Sequence, residues 1–229
     1  MEVKRKMTAT EIYNLLLNEF KIKEQVGSVE IILGGVSAKY NGKDALGDLL
    51  QEWIGEWFNR NHIYFRTRAN TQEFPDFLLS DDDKCGFLEV KTFNANASPA
   101  FDIANFNSYC QSLLVKPERL DADYLILSYK MIDAKLSIDN VWLKKVWEIT
   151  GPSRTNPINL QTKYSQPYNL RPIKWYGKTN TNKPFPDKLS FLIAIAETQY
   201  KYKQILVNFS ENWLENVKKY YFINIGIKL

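Results

Sequence analysis

The apolar and polar positions divide the chain into helical and extended stretches. In residues 8–25, Ile12, Leu15, Leu16 and Phe20 recur at helical spacing behind a cap at Thr8 or Thr10. Residues 43–61 make a stronger amphipathic helix. Leu46, Leu49, Leu50, Trp53, Ile54 and Trp57 form its stripe, and Asp48, Glu52 and Glu56 follow at i, i+4 on the polar side. Short extended runs are predicted at 28–33 and 63–65. Residues 74–79 and 85–93 are apolar runs separated by the polar segment 80–84, the pattern of a hairpin. Residues 100–115 read as a helix, and 123–132 and 136–149 as strands, the first of them central. Residues 187–203 read as an apolar helix capped by Asp187, 210–221 as a helix with Trp213 and Val217 inward, and 222–229 as an edge strand. The expected class is α/β, a mixed central β-sheet flanked by helices.

The predicted hairpin carries chemistry. Along its second strand Phe87, Glu89 and Lys91 share one face, and Leu88, Val90 and Thr92 the other. Asp76 lies near the start of the first strand, and antiparallel pairing brings it to Glu89 and Lys91. Two carboxylates suit a hard cation such as Mg²⁺. A lysine beside them can orient or deprotonate a water and offset developing negative charge. That set equips a protein for metal-assisted phosphodiester hydrolysis. Acid-x-Lys triplets also occur at Glu2, Glu19, Asp82 and Asp133, but none lies on a strand that follows a Pro-Asp strand.

Charge changes the picture further. The net charge of +4 is modest, yet residues 149–186 contain no Asp or Glu. The same stretch holds Arg154, Lys163, Arg171, Lys174, Lys178 and Lys183, six of the nine prolines, and Tyr164, Tyr168, Trp175 and Tyr176. It reads as a long loop with short strands, and its basic, amide-rich character suits a polyanion. Arg154, Asn156, Asn159, Gln161, Lys163, Asn169, Arg171 and Lys174 are the candidate DNA contacts, since such side chains grip phosphates or read base edges.

Composition excludes several alternatives. At 229 residues and 45% apolar, the chain supports one substantial core, and a single domain over 1–229 is expected. No apolar run reaches membrane-spanning length, and the charged N-terminus has no signal-peptide core. Cys85, expected at the start of a core strand, and Cys110, expected on a helix, offer neither a disulfide framework nor zinc spacing. An intracellular, reducing, cytoplasmic location fits them. The single histidine, His62, sits at a helix end and reads as a surface or capping residue, so any metal would be held by oxygens. Gly34-Gly35 lacks the Lys-Ser/Thr of a phosphate loop.

The Pro75-Asp76 … Glu89-Val90-Lys91 arrangement resembles the PD-(D/E)xK nuclease superfamily, and the chain's size resembles the type II restriction endonucleases within it. The resemblance implies a Mg²⁺-dependent, sequence-specific endonuclease acting on double-stranded DNA and leaving 5′-phosphate and 3′-hydroxyl ends. Asp76 and Glu89 would hold the metal with the Val90 carbonyl, and Lys91 would serve the attacking water. An acid on the preceding helix would assist, with Glu52 the best match and Glu56 and Asp48 as alternatives. A homodimer and a cognate DNA methyltransferase are further implications. Two other readings stand beside this one: a repair or recombination nuclease of the same superfamily, and a non-catalytic nucleic-acid-binding module.

Overall fold

The computed structural model describes residues 4–42, 45–70, 73–177 and 182–229. Glu2, Lys43, where the long predicted helix begins, and Lys178 of the basic stretch lie outside the described residues. In chain order the elements are α1 (Ala9–Asn14), β1 (Val26–Gly27), β2 (Glu30–Leu33), β3 (Val36–Lys39), α2 (Leu46–Arg60), β4 (Phe77–Leu78), β5 (Phe87–Asn94) and β6 (Ala104–Asn105). There follow α3 (Phe106–Val115), β7 (Asp123–Ile132), β8 (Lys135–Lys144), α4 (Val146–Ile149), β9 (Leu160–Lys163), β10 (Gln166–Leu170), α5 (Lys188–Lys201) and α6 (Trp213–Ile225). They form two compact units. The first comprises Met1–Ser98 and Asp123–Lys144, the second Pro99–Ala122 and Lys145–Leu229.

The first unit is built on a five-stranded sheet of order β1-β8-β7-β5-β4. β5 and β7 run parallel and the other pairs antiparallel. β7 is the central strand, as its sequence predicts, and Leu125, Ile126 and Leu127 are all buried. A strand covered on both faces reads as a continuous apolar run. α2 lays Leu46, Leu50, Ile54, Trp57 and Phe58 into the core, while Leu49 and Trp53 of the predicted stripe stay partly exposed.

α1 starts where expected. The Thr8 hydroxyl accepts from the Glu11 amide and the Glu11 carboxylate accepts from the Thr8 amide, a capping box. The helix widens over Leu15–Glu19, where the Phe20 amide reaches back to the Leu15 carbonyl at 3.0 Å. Lys21 ends it with φ at 52°, short of the predicted 25. Gly34 and Gly35, at φ 56° and 80°, form the two-residue turn between β2 and β3, whose strands are exposed on both faces. That turn needs positive φ at both positions, which glycine adopts without a Cβ clash. Residues 63–65 do not make a strand; isolated bridges join Arg5 to Ile63 and Arg66 to Leu78 instead.

Three boundaries move for identifiable reasons. β8 stops at Lys144, because the Lys145 amide bonds the Glu148 carboxylate at 2.7 Å and starts the helical turn α4. The strand expected to begin at Cys85 begins at Phe87, and Cys85 is exposed in the turn. The predicted helix 100–115 begins only at Phe106, because Ala104 and Asn105 pair with β10 and the Asn105 side chain then caps α3 through the Ser108 amide.

The second unit packs α3, α5 and α6 with the ribbon β6-β10-β9. The Trp213 indole donates to the Cys110 carbonyl at 2.9 Å, joining α6 to α3. Tyr109 and Phe191 meet edge to face at 6.1 Å, joining α3 to α5. Cys110 is buried on its helix as expected, and Asp187 caps α5 by accepting from the Ser190 amide at 2.7 Å. Residues 222–229 are not an edge strand: α6 continues to Ile225 and ends at Gly226, with φ 78°. Among the described residues no helix is long and apolar enough to cross a membrane.

Candidate active site and recognition surface

The predicted hairpin forms in the first unit, with Phe77 opposite Leu88 and Leu78 opposite Phe87. Arg66 holds its connecting turn, donating through Nε and Nη2 to the Ser80 carbonyl and through Nη2 to Asp83 Oδ1 at 2.8 Å. Phe77 is wedged edge to face between Phe58, at 5.1 Å, and Phe65, at 5.4 Å. Those rings fix the residue after Asp76, so the carboxylate is aimed by packing.

Asp76 Oδ2 accepts from the Val90 amide at 2.7 Å, and the Asp76 amide lies 3.4 Å from Glu89 Oε2 as donor. Lys91 Nζ is 2.8 Å from Glu89 Oε1. Asp76, Glu89 and Lys91 therefore form one constellation, with Glu89 buried and Lys91 mostly so. Burial pushes the Asp76 carboxyl up to about 7, and the neighbouring Glu89 adds to the rise. The Val90 amide and the Lys91 ammonium act against it, and Asp48 makes a further small contribution upward.

The helix acids separate by position. A Cβ at Gly47 would stand 3.5 Å from Thr92 Oγ1, and one at Gly55 3.4 Å from the Phe77 ring. The stretch of α2 facing the Asp76–Glu89 pair thus lies between these residues, which favours Asp48 and Glu52. The charge of Asp48 reaches Asp76. Glu52 lines a cavity of about 280 Å³ shared with Asp76, Glu56, Arg68 and Asn70. All three acids are exposed, and Glu56 is set apart by its bond to Arg60 Nε at 3.0 Å, one turn along the helix. Replacing Glu52 by Gln or Asp48 by Asn should lower cleavage about 10- to 100-fold each, the usual effect of losing a supporting carboxylate. Glu56→Gln should stay within about threefold of wild type in the same steady-state assay. Arg68, missed in the sequence, is the cation of this cavity; its signal was the Arg66-x-Arg68 spacing just before the hairpin.

In the second unit the candidate readers divide in two. Asn156 is buried, and its side-chain oxygen accepts from Lys201 Nζ at 2.7 Å and from the Tyr202 hydroxyl at 3.0 Å. Asn159 donates to the Pro172 carbonyl at 2.8 Å. Arg171 Nε is 2.7 Å from Asp102, and Arg171 Nη2 donates to Gln161 Oε1 at 3.0 Å. These four side chains are engaged by the fold. Arg154, Lys163 and Lys174 are exposed, and Asn169 is half-buried in β10. Asn156→Ala should cost about 1 kcal/mol in urea melts, because it removes a buried side chain and its hydrogen bonds to Lys201 and Tyr202, which are themselves not fully buried.

Fold and hairpin site together define a restriction endonuclease-like nuclease. The chain belongs to the NgoBV restriction endonuclease family, whose sequence profile matches residues 6–229. It is 41% identical over 228 residues to the type II restriction enzyme NlaIV of Neisseria lactamica, covering 97% of this chain and 94% of that one. It is 39% identical over 160 residues to the type II restriction enzyme NgoBV of Neisseria gonorrhoeae, covering 69% of this chain and 91% of that one. The solved structure of the NlaIV restriction endonuclease superposes with a TM-score of 0.90 at 37% identity, over 99% of this chain and 93% of the other.

Proposed function

We propose that the chain is a Mg²⁺-dependent type II restriction endonuclease that hydrolyses phosphodiester bonds at a specific sequence in double-stranded DNA. The observation that carries the chemistry is the Asp76–Glu89–Lys91 constellation, in which one carboxylate is held near neutrality by burial and by the other. Such a crowded acid pair calls for a cation. Among the described residues no three His, Cys, Asp or Glu side chains gather into a metal site. Two carboxylates with the Val90 carbonyl, leaving room for water and phosphate, fit Mg²⁺, which keeps part of its hydration shell. Bound there, Mg²⁺ would polarise the scissile phosphate and neutralise developing charge. The Lys91 ammonium orients the attacking water by donating to its oxygen and offsets the charge that builds on phosphorus. Glu52, with Asp48 one turn before it, supports the site from α2. The products carry a 5′-phosphate and a 3′-hydroxyl.

The two units act as one nuclease domain, with 149–186 as its recognition element. The enzyme works in the cytoplasm as a homodimer, since a two-fold protein suits a palindromic site and two cuts. A methyltransferase of the same specificity protects the host's own sites. Sequencing the ends made from genomic DNA with Mg²⁺ tests the reading. Ends that share one short sequence and bear 5′-phosphates support it. Scattered or junction-dependent ends favour a repair nuclease, and binding without cleavage would make the chain a non-catalytic module.

A further inference from the structure

The β9–β10 ribbon has a fixed base and a free tip. At its base, Asn169 and Leu170 pair with Asn105 and Ala104, the Asn105 side chain donates to the Tyr168 carbonyl at 3.0 Å, and the Ile103 amide donates to the Leu170 carbonyl at 3.0 Å. Pro167 and Leu170 are buried, and Arg171 ties the base to Asp102 and Gln161. Beyond this clamp, Lys163, Tyr164, Ser165 and Gln166 are exposed. Tyr164 is 98% exposed at the apex, and Lys163 Nζ lies 3.8 Å from the centre of the Tyr168 ring.

The turn at that apex carries two side chains at positive φ, as does the β7–β8 turn at Asp133-Ala134, with φ 50° and 59°, but here the first of them is a large aromatic. Tyr164 and Ser165 sit at φ 50° and 61°, a conformation costly for residues bearing a Cβ. The β2–β3 turn has the same signs of φ and uses Gly34-Gly35. A turn that only reverses the chain has no need of a tyrosine here. Nor does burial explain the ring, which touches almost nothing in its own fold.

We infer that the β9–β10 ribbon enters the major groove of the target duplex and that Tyr164, at its apex, contacts a base and helps determine specificity. This rests on the nuclease reading above. The apex stands three residues beyond Gln161, roughly 10 Å at about 3.3 Å per residue. The major groove is about 8.5 Å deep and about 12 Å wide, and it admits a two-stranded ribbon. No acidic residue between 149 and 186 opposes the approach, and Lys163 brings a cation toward the phosphates. The phenol offers an apolar ring for a thymine methyl and a hydroxyl for a base edge. Asn159, Gln161 and Arg171 thus become the scaffold of the reader, and the tip does the reading.

The test compares wild type, Tyr164→Ala and Tyr164→Phe on a short duplex carrying the sequence at which wild type cuts, and on versions with one base pair changed. Tyr164→Ala should raise KM on the intact site at least about tenfold, keep kcat within about threefold, and lose at least about tenfold of its discrimination, at an unchanged melting temperature. Tyr164→Phe should recover most of the KM, because the ring is retained. Wild-type KM and wild-type discrimination in Tyr164→Ala would overturn the inference. So would a loss of cleavage that tracks an altered sedimentation coefficient, which would assign the tip to a protein contact. If wild type cuts no DNA, the nuclease reading itself fails, and that result is distinct from both.

Discussion

Asp76→Asn protein is expected to cleave at least ~10³-fold more slowly than wild type and, without metal at pH 8, to melt at a higher temperature. The two effects share one cause. Burial and Glu89 hold the Asp76 carboxyl at about 7, against an ordinary value of 3.8. The folded protein therefore binds a proton that the unfolded chain releases between those values. The stability this proton contributes is fully present below pH 3.8 and is lost as pH rises through about 7. Asparagine removes the buried charge at pH 8 and can still accept from the Val90 amide. The gain should be about 1–3 kcal/mol, or roughly 2–10 °C for a chain of this size. Calorimetry in EDTA at pH 5 and pH 8 measures it, and the advantage of the variant should shrink at the lower pH. Wild-type cleavage at limiting Mg²⁺ should also fall as pH drops below 7, because the cation must displace that proton. Equal melting of the two proteins at pH 8 would remove the claim that Asp76 is strained by its neighbours.

The second large effect is expected at Lys91. Lys91→Ala should reduce single-turnover cleavage by about 10³-fold while leaving target binding in Ca²⁺ close to wild type. The ammonium is 2.8 Å from Glu89 and lowers the Asp76 carboxyl. Its removal leaves a buried acid pair without a counter-charge. The residual activity should therefore show its acid limb displaced to higher pH, a readout that simple loss of folding would not produce. Lys91→Ala protein that cuts at the wild-type rate would exclude this side chain from the chemistry.

The hairpin was legible in the sequence because everything that makes it is local. The alternation from Leu88 to Lys91, a polar turn and a short apolar run predict the hairpin, and the register that pairs Phe77 with Leu88 puts Asp76 beside Glu89. The helix carboxylate was not legible in the same way. Which side of α2 faces the hairpin is marked by where a side chain at Gly47 would meet Thr92 and one at Gly55 would meet Phe77, across 45 and 22 positions of sequence. Periodicity gives a polar face but not its rotation against a neighbour. The basic stretch was legible as a polyanion surface, since the absence of acids is a property of composition. Its individual readers were not. Asn156 is claimed by Lys201 and Tyr202, partners that lie 45 and 46 residues away. Tyr164, counted only among the aromatics of the stretch, stands out through its exposure at the tip of the ribbon. The boundary at Lys144 was missed because a lysine amide bonded to a glutamate leaves no mark in the alternation.

The division of the chain has a consequence for how such an enzyme can change. The polypeptide passes from one unit to the other after Ser98, returns after Ala122 and leaves again after Lys144. Neither unit is a contiguous piece of the gene. A single truncation cannot free either unit intact, yet one junction at Lys144–Lys145 separates every residue of the 149–186 stretch from Asp76, Glu89 and Lys91. If the ribbon reads DNA as inferred above, specificity in such an enzyme can change through the last stretch of the chain, Lys145–Leu229, while the unit that holds Asp76, Glu89 and Lys91 keeps its sequence.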